Sequence, residues 1–106
     1  MKKKLDPIPP GTILYEEFME PLGISAYKLS KDIKIQQTAI SQIINGSRRI
    51  TVDMALRLSR YFGNSAQFWL NLQNYYDLEV KLEEKEYIFN EIIPYSQVAE
   101  KKRIYA

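Results

Sequence analysis

Apolar residues recur along this chain at helical spacing, and no stretch alternates with the period of a strand. Ile13, Leu14 and Phe18 make the stripe of a short first helix. Pro10-Gly11-Thr12 opens it, with proline in the first turn, where its missing N–H is harmless. Pro21 is expected to end this helix and Leu22-Gly23 to turn the chain. Ser25 is the expected cap of a second helix, in which Ala26, Leu29 and Ile33 share a face while Lys28, Lys31 and Asp32 turn outward. Lys34-Ile35 reads as a tight connection. A third helix is expected over residues 37–44, with Ile40, Ile43 and Ile44 inward and Asn45-Gly46 as its stop. Thr51 caps a fourth, for which two faces are expected: Val52, Ala55, Leu56, Ser59 and Phe62 on one, Met54, Leu58 and Tyr61 on the other. Gly63-Asn64 stops it and Ser65 caps a fifth, residues 66–76, apolar on more than one side. The helical pattern continues through Leu78, Val80, Leu82, Ile88, Phe89 and Ile92 to Pro94, after which residues 95–106 read as a polar, frayed end.

The expected fold is therefore all-α, with five to six short helices. It divides into a basic, Pro-rich arm (residues 1–9), a folded domain (10–80) and a helical extension with its tail (81–106). A chain of 106 residues can bury about two-thirds of its unfolded surface, enough for one core without staples. No apolar run approaches the ~18 residues of a membrane span, and no apolar stretch follows the basic start, so a cytoplasmic protein with no membrane partner is expected.

Two absences narrow the chemistry. The sequence has no Cys and no His, which removes disulfides, thiol nucleophiles, the usual general base near neutral pH and the commonest metal ligands. No metal, no cofactor and no catalytic residue is expected, and the chain reads as a non-enzyme. The adjacent pairs Glu16-Glu17 and Glu83-Glu84 cannot face one another across a substrate and read as solvated helix charges.

The net charge of +2 hides a gradient. Residues 25–49 carry Lys28, Lys31, Lys34, Arg48 and Arg49 against Asp32 alone, whereas residues 72–106 hold seven acids and five bases. A basic stretch in an otherwise balanced small domain is the footprint of a polyanion binder, the bland alternative being a solvated lysine face. Within that stretch, two short helices joined by about three residues form a helix-turn-helix pattern. Leu29, Ile33, Ile35, Ile40 and Ile43 would lock the pair together, leaving Gln36, Gln37, Thr38, Ser41, Gln42 and Asn45 outward. The outward set from 36 to 45 has no charge. Gln can donate and accept at once, so it pairs bidentately with adenine N6/N7 in the major groove, and Thr offers a methyl for thymine and a hydroxyl for phosphate. Gln36, Gln37, Thr38 and Gln42 are the candidate base contacts. Lys28, Ser41, Asn45, Ser47, Arg48 and Arg49 are the candidate phosphate contacts. Backbone amides at the N-terminus of the second helix can add another. Arg48 and Arg49 could instead only neutralise the carboxyl end of the third helix. Trp69, in its apolar setting, reads either as core or as a dimer anchor; Trp69, Leu72 and Tyr76 are the candidate dimer interface.

Residues 26–46 resemble the helix-turn-helix of the phage-repressor (XRE) class, with Leu29, Ile33, Ile35, Ile40, Ser41 and Asn45-Gly46 as landmarks. The resemblance implies a lambda-repressor-like domain in which Gln37 and Gln42 occupy base-contacting places. Three further blocks, Pro10-Gly11-x-Ile13-Leu14-x-Glu16-Glu17-Phe18-x-Glu20-Pro21-Leu22-Gly23, Arg48-Arg49-Ile50-Thr51-x-Asp53-Met54-Ala55-Leu56-Arg57-Leu58 and Phe68-Trp69-Leu70-Asn71-Leu72-Gln73-x-x-Tyr76-Asp77-Leu78, resemble the HigA (VapI-like) antitoxins over residues 8 to 80. That likeness implies a homodimeric type II antitoxin that neutralises a small basic, mRNA-cleaving HigB-type toxin and represses its own operon by binding duplex operator DNA. The alternative is a solitary repressor of the same class without a toxin. Lys34 stands where many such motifs carry a turn glycine, Ser30 where the first helix often has Ala, and Pro9-Pro10-Gly11-Thr12 where the antitoxins usually have His-Pro-Gly-Glu. The acidic region 77–91 and then the arm 1–12 are the expected toxin surfaces.

Overall fold

The computed structural model describes residues 6–98; the first five residues of the basic arm and residues 99–106 of the tail lie outside the described residues. Among the described residues the chain is all-helical, with no strand. In order it runs α1 (Pro10–Ile13), a π-helical stretch (Leu14–Met19), α2 (Glu20–Leu22), α3 (Ala26–Ile33), α4 (Gln37–Ile44), α5 (Val52–Phe62) and α6 (Ala66–Phe89), with one more helical turn at 95–98. At 24 residues α6 is long rather than short. It passes through residues 80 and 81 without a break, so the extension continues the domain's last helix.

Local chemistry accounts for most of the boundaries. The side-chain oxygens of Ser25, Thr51 and Ser65 accept from the backbone N–H groups of Lys28, Met54 and Phe68, three residues on. Each satisfies one orphan donor of a first turn. Gly23 and Gly63 end α2 and α5 in the left-handed region, at φ of 67° and 78°.

The first helix departs from expectation in two ways. A π turn closes at i+5 rather than i+4, so Leu14 and Met19, out of step for an α-helix, both face inward and are fully buried. Pro21 does not end the helix. It sits in the first turn of the short α segment that restarts after the π stretch, where proline is tolerated, and the stop falls at Gly23.

Leu14, Met19, Leu29, Ile40, Ile43, Ile50, Leu58 and Trp69 are the largest side chains sealed in the core. α5 presents Met54, Ala55, Leu58 and Ser59 to it. The two faces expected for this helix are thereby corrected. Leu56 is exposed because at 100° per residue it lies on the side opposite residues 54, 55 and 58, and Val52, at the flank of the buried face, is exposed in the helix's first turn. Phe18, Phe62, Phe68 and Trp69 form an aromatic cluster where α5 and α6 meet the π stretch, with Phe18 and Trp69 ring centroids 4.8 Å apart.

Candidate nucleic-acid interface

α3 and α4 form the bihelical unit. Leu29 and Ile33 from α3 and Ile40 and Ile43 from α4 share one core, and Ile35 packs on its edge. The connection passes through Lys34 at φ 61°, the left-handed conformation that glycine would adopt without strain. Arg57 of α5 closes this turn. Its Nη1 donates to the carbonyls of Ile33 (2.8 Å) and Lys34 (3.2 Å), and its Nε holds Asp53. The last carbonyls of α3 thus face a cation, which suits a helix C-terminus.

α4 carries its polar set where the pattern placed it. Gln36, Gln37, Thr38, Ser41 and Asn45 are exposed and Gln42 is half-buried. No side-chain oxygen caps the N-terminus of α4, whereas α3, α5 and α6 are all capped. The first N–H groups of α4 therefore face outward without a side-chain acceptor, in a setting that suits an anion.

The loop after α4 is folded back on that helix. The N–H groups of Ser47 (2.9 Å) and Arg48 (3.2 Å) both donate to the carbonyl of Gln42. Asn45 Oδ1 accepts from the backbone N–H and the hydroxyl of Ser47. The two arginines are engaged inside the chain. Arg48 Nε donates to Gln42 Oε1 at 2.8 Å, and the Arg49 guanidinium lies 2.9 Å from Asp77 of α6. Sequence alone offered phosphate clamping or neutralisation of a helix end for these residues; the structure adds an intrachain partner to each while leaving both exposed. Gln73, one turn before Asp77, is 4% exposed. Its Oε1 accepts from the Ile50 N–H (2.7 Å) and its Nε2 donates to Asp77 (3.0 Å), so α6 grips the loop at two adjacent residues. Gln73 stands in the third antitoxin-like block, but the sequence assigned it no role. Its partner is 23 residues away, and a Gln between Leu72 and Asn74 carries no local sign of burial.

Lys28 pairs with Asp32 at 3.0 Å, and Asp32 also accepts from the Tyr61 hydroxyl at 2.6 Å. The hydrogen bonds from Tyr61 and from Lys28 hold the Asp32 carboxyl below its ordinary value. The same contact raises Lys28 and Tyr61.

Of the expected dimer residues, Leu72 and Tyr76 keep accessible surface, but Trp69 does not. It is 0% exposed, ringed by aromatic side chains and bonded through Nε1 to Asn64 Oδ1 at 2.9 Å. Trp69 is a core residue and offers no surface to a second chain. Phe68, Tyr75, Leu78 and, further along, Leu82 are exposed apolar residues of α6. Among the described residues no cluster of acidic or metal-ligating side chains could hold a metal, and no helix is long and apolar enough to cross a membrane.

Two short helices set across a left-handed turn, with a polar second helix and a supporting core from the following helix, define the helix-turn-helix class of regulatory proteins. The helix-turn-helix family model matches residues 16–69. Virulence-associated protein I of Dichelobacter nodosus is 46% identical over 95 residues, 90% of this chain and 87% of that protein. Antitoxin HigA-1 of Vibrio cholerae is 36% identical over 77 residues, 73% of this chain and 72% of that antitoxin. Among solved structures, Pseudomonas aeruginosa antitoxin HigA with the higBA promoter aligns with a TM-score of 0.79 at 42% identity, covering 83% of this chain and 97% of that one. The chain belongs to the helix-turn-helix family, in its HigA antitoxin branch. This is a family of regulators rather than enzymes.

Proposed function

We propose that this chain is a DNA-binding antitoxin that acts in the cytoplasm, represses its own operon as a two-fold dimer and neutralises a small basic toxin that cleaves mRNA. The observation that carries the DNA part is the outer face of α4, uncharged and exposed, with an uncapped N-terminus. Phosphate is the natural occupant of that N-terminus, and the Gln and Thr side chains beyond it can reach base edges. The solved structure of a 42% identical antitoxin with its promoter supports the DNA-binding reading. In this reading Gln36, Gln37, Thr38 and Gln42 face bases, while Ser41, Asn45 and Lys28 face the backbone. A palindromic site with half-sites about one helical turn apart, ~34–36 Å, follows from a two-fold dimer. Leu72, Tyr75, Tyr76 and Leu78 supply the apolar surface for pairing. The toxin surface is the acidic outer half of α6, where Glu79, Glu83 and Glu86 are exposed.

Two experiments test this. Binding to the DNA upstream of the chain's own gene should weaken by ~1–3 kcal/mol when Gln37 is replaced by Ala, with little change on random duplex. Equal losses on both would sink base readout. Cells expressing the product of the neighbouring gene should be rescued by the full-length protein. If none of its versions rescues growth or binds that product while DNA binding survives, the chain is a solitary repressor.

A further inference from the structure

We infer that Arg48 is a positioning residue for Gln42, holding its carboxamide in one orientation so that Gln42 reads a hydrogen-bond acceptor, guanine, in the major groove. The inference rests on the DNA-binding reading above and deepens it.

The geometry begins with the backbone. Because the N–H groups of Ser47 and Arg48 both reach the carbonyl of Gln42, the start of the Arg48 side chain is pinned beside residue 42. Its Nε then meets Gln42 Oε1 at 2.8 Å, within the range of a charge-assisted bond. A guanidinium can only donate, so the amide must turn its oxygen toward Arg48 and its NH₂ away. An isolated Gln at this place could flip freely between two orientations and pair with adenine or guanine alike. This one is half-buried and tethered, and one of the two orientations is selected.

The tether also changes what Gln42 can read. Pairing with adenine needs the amide oxygen to accept from the N6 amine. Here that oxygen already accepts from a cation, whose field opposes a second approaching hydrogen and strengthens the NH₂ as a donor. The remaining guanidinium N–H groups add further donors on the same side. Guanine presents two adjacent acceptors, O6 and N7, and no donor on that edge, so it fits best. Cytosine, with its N4 amine, fits worst.

The test is selection from a pool of randomised duplexes by the full chain, comparing wild type with Gln42→Ala, Arg48→Ala, Arg48→Lys and the Gln42→Ala/Arg48→Ala double variant. Affinity for random duplex confirms that each variant is folded. The position whose preference disappears in Gln42→Ala is the base that Gln42 reads. Wild type should select guanine there by about tenfold. Arg48→Ala should lose the same preference, and the double variant should lose no more than either single one. Arg48→Lys, which keeps the charge without the rigid Nε–H, should recover only part of it. Three results would overturn the inference: no position affected by Gln42→Ala, adenine as the selected base, or an unaltered base profile in Arg48→Ala with only a shallower salt dependence. That last outcome would make Arg48 a plain phosphate contact. Failure of wild type to select any sequence would instead remove the DNA-binding reading itself.

Discussion

Lys34 shows how a residue that looks wrong for its place is accommodated. A non-glycine residue in the left-handed region costs about 1–2 kcal/mol, and Lys34 sits there at φ 61°. Arg57 reaches from α5 to bond the carbonyls on both sides of the turn. Replacing Lys34 by Gly should relieve strain but add unfolded-state entropy, a net stabilisation of about 0.5–1 kcal/mol in chemical denaturation. Arg57→Ala should cost about 1–2 kcal/mol, since a charged donor to two carbonyls is lost at a partly exposed site. The turn glycine's absence was visible in the sequence. The compensating arginine was not, because it lies 23 residues further on. The same distance effect hid the partners of Arg49 and Ile50, whereas Ser25, Thr51 and Ser65 were legible because a cap and its amide are three residues apart. Asp32 supplies a pH signature at this scale. Its folded pKa lies below the unfolded value, chiefly through the Tyr61 hydroxyl and then Lys28. The contribution of Asp32 is therefore present above the ordinary carboxylate pKa of 3.8 and is lost as pH falls through the depressed folded value. Thermal melts of wild type and Asp32→Asn should converge in that acid range and separate at neutral pH.

Among the elements, α1 and α4 meet more closely than side chains allow. A Cβ built on Gly11 would lie 1.7 Å from the carbonyl oxygen of Ile43 and 2.9 Å from the Cα of Ile44, so the obstacle is backbone that cannot step aside. Gly11→Ala should destabilise the domain by about 3 kcal/mol or more, at the upper end of overpacking costs, as measured by urea unfolding. It would also displace α1 from the C-terminal turn of α4, adjacent to the Gln42–Arg48 clasp. The sequence showed Pro10-Gly11 as a helix opening, and the proline indeed stands in the first turn. The demand on the glycine is a packing demand between two elements, invisible to local pattern. The π stretch escaped for a related reason. Ile13, Leu14 and Phe18 satisfy a 3.6-residue period, and only burial of Met19 alongside Leu14 reveals the wider turn.

At the scale of the whole molecule, the body and the protruding helix have different character. The chain measures 66 Å along its longest axis but 32 and 21 Å across. The first turns of α6 bury Trp69 and Gln73, whereas every residue from 81 to 89 is exposed, and the backbone departs from helical geometry at Lys85. All-helical architecture and the order of the elements followed from periodicity because each helix has its own stripe. The length of α6 and its grip on the loop did not, because both depend on how two distant segments fit. Gln73→Ala leaves the Ile50 N–H without its acceptor inside the protein. Amide hydrogen exchange at Ile50 should accelerate by at least tenfold in that variant, while Trp69 and its neighbours keep their protection.

The Gln73 and Asp77 contacts make α6 a lever whose short arm ends at the loop beside the candidate DNA face. A cation arriving at Asp77 would compete with Arg49 directly and release it. A partner that takes Asp77 would thus free the Arg49 guanidinium beside the candidate DNA face, with no change of shape in the helix-turn-helix unit itself.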